Sequence, residues 1–279
     1  MKTSVLRWVF PLLGLFVVGP AVGWLASGLR ASDGSPHFSL LTSVSPARAL
    51  GTFALAFALA AGLGSAAARL VSRNTGLFSA GMVLAWASWP TGSIEGIIRR
   101  TQSVEPLRSL VFEGPIVGLL SLVTAGVIIG AARARASAGG SDARGALARL
   151  RDPQTLFGIA AGVPVAGVVA WFIAQEPSKG QSIAAGALAA LAAAAVARLA
   201  FAESHALAAF VAVAVLTAAG PLAASAAYGS DAALLRAAYA DVLLPLARPL
   251  PIDWMAGAFL GTPIGLSWAS SMVQKKPEG

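Results

Sequence analysis

Six charged residues stand in two matching sets: Arg99, Arg108 and Glu113 in the first half of the chain, Arg236, Arg248 and Asp253 in the second. Guanidinium groups hold phosphate and carboxylate in a two-pronged geometry, so Arg99, Arg108, Arg236 and Arg248 are the expected binding sites for an anion or a lipid headgroup. Glu113 and Asp253 would orient those arginines or couple a cation. The same residues also suit a plainer role, as snorkelling charges at a membrane surface and as helix caps, with Asp253 near a first turn. Glu95 and Glu105 have no acidic counterpart in the second set. Both read as interfacial and would carry protons only if buried.

Other chemistry is sparse. The chain has no Cys, which removes disulfides, thiolate metal sites and cysteine nucleophiles. Its two histidines, His37 and His205, do not assemble a zinc site or a haem pair. No G-x-S-x-G, H-E-x-x-H or G-x-x-x-x-G-K-[ST] pattern occurs. The expectation is therefore no enzyme, no catalytic residue, no cofactor and no metal.

The elements that must position these residues are apolar helices. Of the 279 residues 57% are hydrophobic and 11% charged, with a mean hydropathy of +0.75. Soluble domains carry roughly twice that share of charge. The fold class expected is all-α, a polytopic membrane helix bundle of about eight transmembrane helices. The runs long enough to span are residues 5–27, 49–70, 77–94, 110–132, 155–174, 183–199, 206–228 and 252–271. The first could be a cleaved signal, but its apolar stretch is longer than a signal core and it reads as a retained helix. The sixth is so rich in Ala that it should pack centrally. Ser45-Pro46 and Asp152-Pro153 each look like a capping side chain before a helix-starting proline. Most tryptophans fall near span ends, as an aromatic belt does.

With eight spans both termini share one side. Placing them in the cytoplasm of a bacterial-type inner membrane puts 12 of the 20 basic residues inside, among them Arg69, Arg73, Arg133, Arg144, Arg198, Lys275 and Lys276. The excess of 8 positive charges is thus read as topology marking and contact with anionic lipid headgroups, and nucleic acid is not an expected partner.

The chain also resembles itself. Residues 87–93 and 97–99 match 224–230 and 234–236 at a constant offset, with Ala87, Ser88, Gly92, Ser93 and Arg99 repeated identically. Arg108 through Glu113 then align with Arg248 through Asp253. The expected organisation is a first four-helix repeat over 1–137, a Gly/Ser/Arg linker over 138–147 and a second repeat over 148–279, the two parallel because each has an even number of spans. Each repeat should carry an outer interfacial helix after a Gly-Ser turn. In the first, Ile94, Ile97, Ile98, Thr101 and Val104 share one face, and Glu95, Arg99, Arg100, Gln102 and Ser103 the other. In the second, Asp241 falls on the apolar face, so that copy should be more buried. The function expected is a small transporter, flippase or channel for an anionic or lipid-linked solute at the repeat interface. The alternative is a non-catalytic structural subunit or assembly factor working with other membrane subunits.

Overall fold

Proline and glycine decide where the apolar runs break, and small residues decide how closely the resulting helices approach. The computed structural model describes residues 2–31, 33–136, 148–201 and 205–273. The expected linker 138–147, Glu203 and Lys275–Lys276 lie outside the described residues. Those residues form helices α1 (Lys2–Leu13), α2 (Gly19–Ser27), α3 (Pro46–Leu70), α4 (Arg73–Ser88), α5 (Ile94–Thr101) and α6 (Glu105–Ala136). They continue with α7 (Pro153–Ile173), α8 (Lys179–Ala200), α9 (Leu207–Tyr228), α10 (Asp231–Tyr239) and α11 (Pro251–Val273). No strand forms among the described residues, apart from one isolated bridge between Ala31 and Ser43.

Six of these stretches are long and apolar enough to cross a membrane: Val5–Ser27, Pro46–Leu70, Glu105–Ala134, Pro153–Ile173, Lys179–Ala200 and Leu207–Tyr228. The chain is an all-helical, membrane-embedded protein. Two of the eight expected spans are not among the six. The run 77–94 splits, because α4 ends at Ser88, a single 3₁₀ turn follows over Trp89–Thr91, and Gly92 takes a left-handed φ of 76°. Pro90 and Gly92 are the residues that stop it. The run 252–271 does form a helix, α11, but its apolar residues are interrupted by Asp253, Thr262, Pro263, Ser267 and several glycines.

The first span is one rod made of α1, a π-helical turn over Gly14–Val18, and α2. Pro20 lacks an N–H and its ring crowds the preceding turn, which a wider π turn relieves. Gly14, Gly19 and Gly23 lie where a side chain would meet Ser79, Met82 and Trp86, so this rod rests directly on α4.

At the centre, α11 is buried along most of its length and lies between α4 and α8. The α8–α11 contact is made by backbone: a Cβ at Gly257, Gly261 or Gly265 would come within 2.4, 1.8 or 2.2 Å of backbone atoms of Ala187 and Leu191. Absence of side chains there lets two helices touch, the usual basis of helix association in lipid. The Ala-rich α8 accordingly packs inside, with Ala185, Ala189, Ala190 and Ala193 fully buried.

The α4–α11 contact is antiparallel and pinned at both ends. Ser88 donates to Asp253 at one end and Asn74 donates to Ser267 (2.8 Å) at the other. The pins are fourteen residues apart on each helix, about 21 Å of rise. A second contact of the same kind joins α6 to α9, where Gly114 and Gly118 face Thr217 and Ala214.

The Gly-Ser turns form in both places. Gly92 and Gly229 both have positive φ, and Ser93 and Ser230 then cap α5 and α10 by accepting from Gly96 N–H and Ala233 N–H. Asp152 caps α7 through Thr155 N–H, with Pro153 at the first position. Ser45 holds the cap position of α3 but its side chain makes no capping bond.

Candidate functional site

Four connections gather at one end of the bundle, here the loop end: 28–45, 89–104, 174–178 and 229–250. The first of them folds inward, burying Leu29, Phe38, Ser39 and Leu40. Phe38 N–H donates to Thr91 carbonyl (3.1 Å), and the His37 ring lies against Gly92, where a Cβ would come 2.2 Å from Nδ1. Only glycine fits that turn, both for its φ and for this contact. His37 Nδ1 is buried without a hydrogen-bond partner, and burial pushes its imidazole below the usual range.

Beneath this loop lies a layer of buried charge. Asp253, in the first turn of α11, is 1% exposed. Lys179, at the start of α8, reaches it with Nζ 2.9 and 3.0 Å from its two oxygens, and donates also to Thr91 Oγ1 at 2.9 Å. The Ser88 hydroxyl and Leu250 N–H (3.0 Å) complete the carboxylate's partners. The site draws on α4 and its 3₁₀ turn from one half of the chain and on α8 and α11 from the other.

Glu113 on α6 is also 1% exposed, two turns into its helix. It accepts from Leu41 N–H at 3.1 Å, and the Ser39 hydroxyl and Leu40 N–H also turn towards it. Its charge is felt by Lys179 and by Asp253, so the two carboxylates share one layer.

A second buried pair lies at the same end of the bundle. Arg248 is 3% exposed and its Nε stands 3.0 Å from Glu95 Oε1. The contact is coulombic rather than a hydrogen bond, since both Glu95 oxygens lack a donor. The guanidinium N–H groups go instead to the carbonyls of Leu243 (3.0 Å), Asp241 (2.6 Å) and Gln175. Burial raises the Glu95 carboxyl above its ordinary range, and the Arg248 charge opposes that. Glu95 was expected to be interfacial; it is 1% exposed, because the cation that accompanies it comes from a distant segment rather than from its own helix.

The remaining arginines of the expected anion set stay outside. Arg99 is half-buried, ion-paired with Asp241, and donates to Ala238 carbonyl (2.8 Å), while Tyr239 donates to the Arg99 carbonyl (2.9 Å). Arg108 is exposed and pairs with Glu105 (2.8 Å) and Asp231 (2.6 Å). Arg236 is exposed and bonds the Ala232 carbonyl. Thus Glu113 and Asp253 come into one buried layer and Arg248 is buried at the same end of the bundle, whereas Arg99, Arg108 and Arg236 stay nearer the surface. The second short helix is not the more buried one. Asp241 sits beyond its end at φ 57°, exposed and facing Arg99.

Sequence reasoning missed Lys179, Ser88 and Thr91 as members of this layer. A usable signal existed for Lys179: it is one of only 4 lysines among 20 basic residues and opens the chain's most Ala-rich helix. Most tryptophans are exposed as a belt would be, but Trp254 is fully buried with its Nε1 unpartnered.

Next to the charged layer runs an apolar groove of about 590 Å³, lined by Leu15, Trp86, Trp89, Gly180, Ile183, Ala184 and Leu260 among others. It lies between the π-helical turn of the first span, α4, α8 and α11. Its upper end adjoins the charged layer through two neighbours, Gly180 beside Lys179 and Trp89 two residues from Thr91. Among the described residues no group of acidic or histidine side chains could hold a metal ion. No protein-family model, curated protein or solved structure matches the chain.

Proposed function

We propose that the chain is a small carrier that moves an anionic, lipid-linked solute across the membrane at the boundary between two parallel four-helix halves. The observation that carries this is the junction of an apolar groove with a buried charged layer, both built from helices of the two halves. A groove between membrane helices suits an apolar tail, and intramembrane ionisable groups rarely persist without a role. Glu113 would couple an ion, and Asp253, bound to Lys179, would orient the site. Arg99, Arg108 and Arg236, at the surface over the layer, would receive the anionic head, and Arg248 would brace the layer from within.

Several features support the two-half reading. The Gly-Ser-capped short helices occur twice and meet each other, α5 against α10. The α4–α11 contact has a mate in the α6–α9 contact, as a two-fold exchange of halves would generate. On this reading α4 and α11 are the seventh and eighth spans, and the basic residues of the opposite end face the cytoplasm of a bacterial-type inner membrane. The chain would have no reaction of its own.

The test is lipid exchange in proteoliposomes containing an NBD-labelled anionic phospholipid. Addition of dithionite should bleach inner-leaflet label faster with protein than without, and Ala184→Trp, which fills the groove, should abolish the gain. Equal bleaching with and without protein would sink the proposal. The backbone contact between α8 and α11 favours the other reading, a static structural subunit. Absence of exchange together with co-purification in fixed stoichiometry would select it.

A further inference from the structure

The loop end of the bundle buries three carboxylates and two cations that pair with them. Asp253 is matched by Lys179, and Glu95 by Arg248. Glu113 is left over: among the described residues it enters no ion pair, though it is as deeply buried as the other two. Its charge is held only by hydrogen bonds from the 39–41 loop and by the more distant Lys179, so it is the carboxylate with room for a further positive charge.

The surroundings decide which charge. Every element packed on this part of α6 can be checked. Helix α9 carries no acidic or basic residue, and α3 brings only Arg48, which is exposed, and Arg69 at its far end. Helix α4 has Arg73 alone, at its opposite end. Helix α5 offers Glu95, already paired, with Arg99 and Arg100 turned outward; the inward-folded loop offers His37, its Arg30 and Asp33 being exposed; α8 and α11 offer Lys179 and Asp253, bound to each other, with Arg198 at the far end of α8. A metal ion would need several oxygen ligands around it. Here the groups aimed at Glu113 are the N–H groups of Leu40 and Leu41 and one hydroxyl, from Ser39. Amide N–H groups have no lone pair to give and would repel a cation. The one oxygen-rich set in the layer, made of Asp253, Ser88 and Thr91, is already filled by the Lys179 ammonium.

We propose that Glu113 is a proton-binding site, its carboxylate taking a proton from water and returning it as the 38–41 loop leaves and re-engages, while the Asp253–Lys179 pair stays fixed in charge. The coupling ion of the carrier is then a proton; that last step rests on the transport reading, but proton binding at Glu113 does not. When Glu113 is ionised, Leu41 N–H holds the loop down on it. When it is protonated the charge that draws those N–H groups is gone, and the loop is released.

The experiment is infrared difference spectroscopy of the full chain in lipid films, with pH stepped and the proton itself as probe. The wild type should show a C=O stretching band of a protonated carboxylic acid that titrates with pH, and Glu113→Gln should remove it while helix content is unchanged. The exposed-site control Glu105→Gln should leave it in place. If Glu113→Gln does not fold, Glu113→Asp, which keeps the acid on a shorter arm, should move the band. A titrating band that survives in folded Glu113→Gln, or is unmoved in Glu113→Asp, overturns the proposal. So does a midpoint that shifts when sodium is replaced by N-methylglucamine. A band that behaves as expected in a protein without lipid exchange would leave this site standing and remove the carrier. Exchange together with a band indifferent to Glu113 would do the reverse.

Discussion

Replacing Gly261 with Ala should pry apart the two helices that carry Lys179 and Asp253. A Cβ at Gly261 would stand 1.8 Å from the Ala187 carbonyl oxygen, where ordinary contact begins at 3.4 Å. The helices must therefore part by the difference, about 1.6 Å, and the obstacle is backbone, which has no rotamer to escape into. Parting there also loosens the Gly257 and Gly265 contacts, one turn to either side. Overpacking of this kind costs about 1–3 kcal/mol. Against it stands the gain from removing a helical glycine, about 0.5–1 kcal/mol. With backbone as the obstacle the cost lies towards the upper end of its range, so the net expectation is a loss of up to about 2.5 kcal/mol.

Gly62 on α3 is the matched control. Nothing lies within 4 Å of its Cβ position, so Gly62→Ala should show only the propensity gain and move stability the other way. Both variants would be unfolded by titrating SDS into mixed micelles, with helicity read by circular dichroism. The reasoning fails if Gly261→Ala is as stable as wild type, or if the two substitutions shift the midpoint in the same direction.

Three other contacts set further outcomes. Arg248→Met leaves Glu95 buried without its cation and should cost about 3–5 kcal/mol, whereas Glu95→Gln with Arg248→Met should recover most of that in a double-mutant cycle. His205 is buried at the opposite end, where Arg133 donates to its Nε2 (2.9 Å), and burial with the neighbouring arginines depresses its pKa to about 4. Because the folded value lies below the unfolded 6.5, its contribution is fully present above about pH 6.5 and lost as pH falls towards 4; that slope, worth about 3 kcal/mol at most, should flatten in His205→Gln in a pH series of unfolding midpoints. Finally, Asn74→Cys with Ser267→Cys, cross-linked by a short bis-methanethiosulfonate in this cysteine-free chain, should lock the α4–α11 contact and halt lipid exchange until a reductant is added.

Local rules were legible in the sequence and long-range ones were not. The Gly92-Ser93 and Gly229-Ser230 turns, the Asp152 cap and the central seat of the Ala-rich helix all follow from a residue and its near neighbours. Arg108 and Arg248 looked equivalent because they occupy matching places in the repeat expected from the sequence. The structure separates them, since Arg108 finds Glu105 three residues away and Asp231 on an exposed helix, whereas Arg248 meets a ring of carbonyls and a buried carboxylate. Glu95 read as interfacial because its own helix supplies arginines on the same face; its actual partner is 153 residues away. Lys179 sat at a helix start where a solvated charge is ordinary, and only the approach of α11 turns it into half of a buried pair.

The two helices that fall short of a span, α4 by length and α11 by apolarity, are the two that meet at the charged layer, and these facts have one cause. Average apolarity measures how well a helix suits lipid on all sides. A helix enclosed by other helices needs no such match: it can carry Asp253, Thr262, Ser79 and Ser88, all buried, provided neighbours or passing ligands satisfy them. Its length is free as well, because α4 can stop at Ser88, below the loop end, when the 3₁₀ turn and the inward-folded loop fill the space above it. Where a membrane chain keeps such helices at its centre, the polar atoms they bring are available for binding and the surrounding apolar helices bear the cost of insertion. Labelling of α4 and α11 by a lipid-soluble carbene along the faces that are closed here would refute this. They would then be poor spans rather than protected ones, and the layer of Asp253, Lys179 and Glu113 would lose its enclosure.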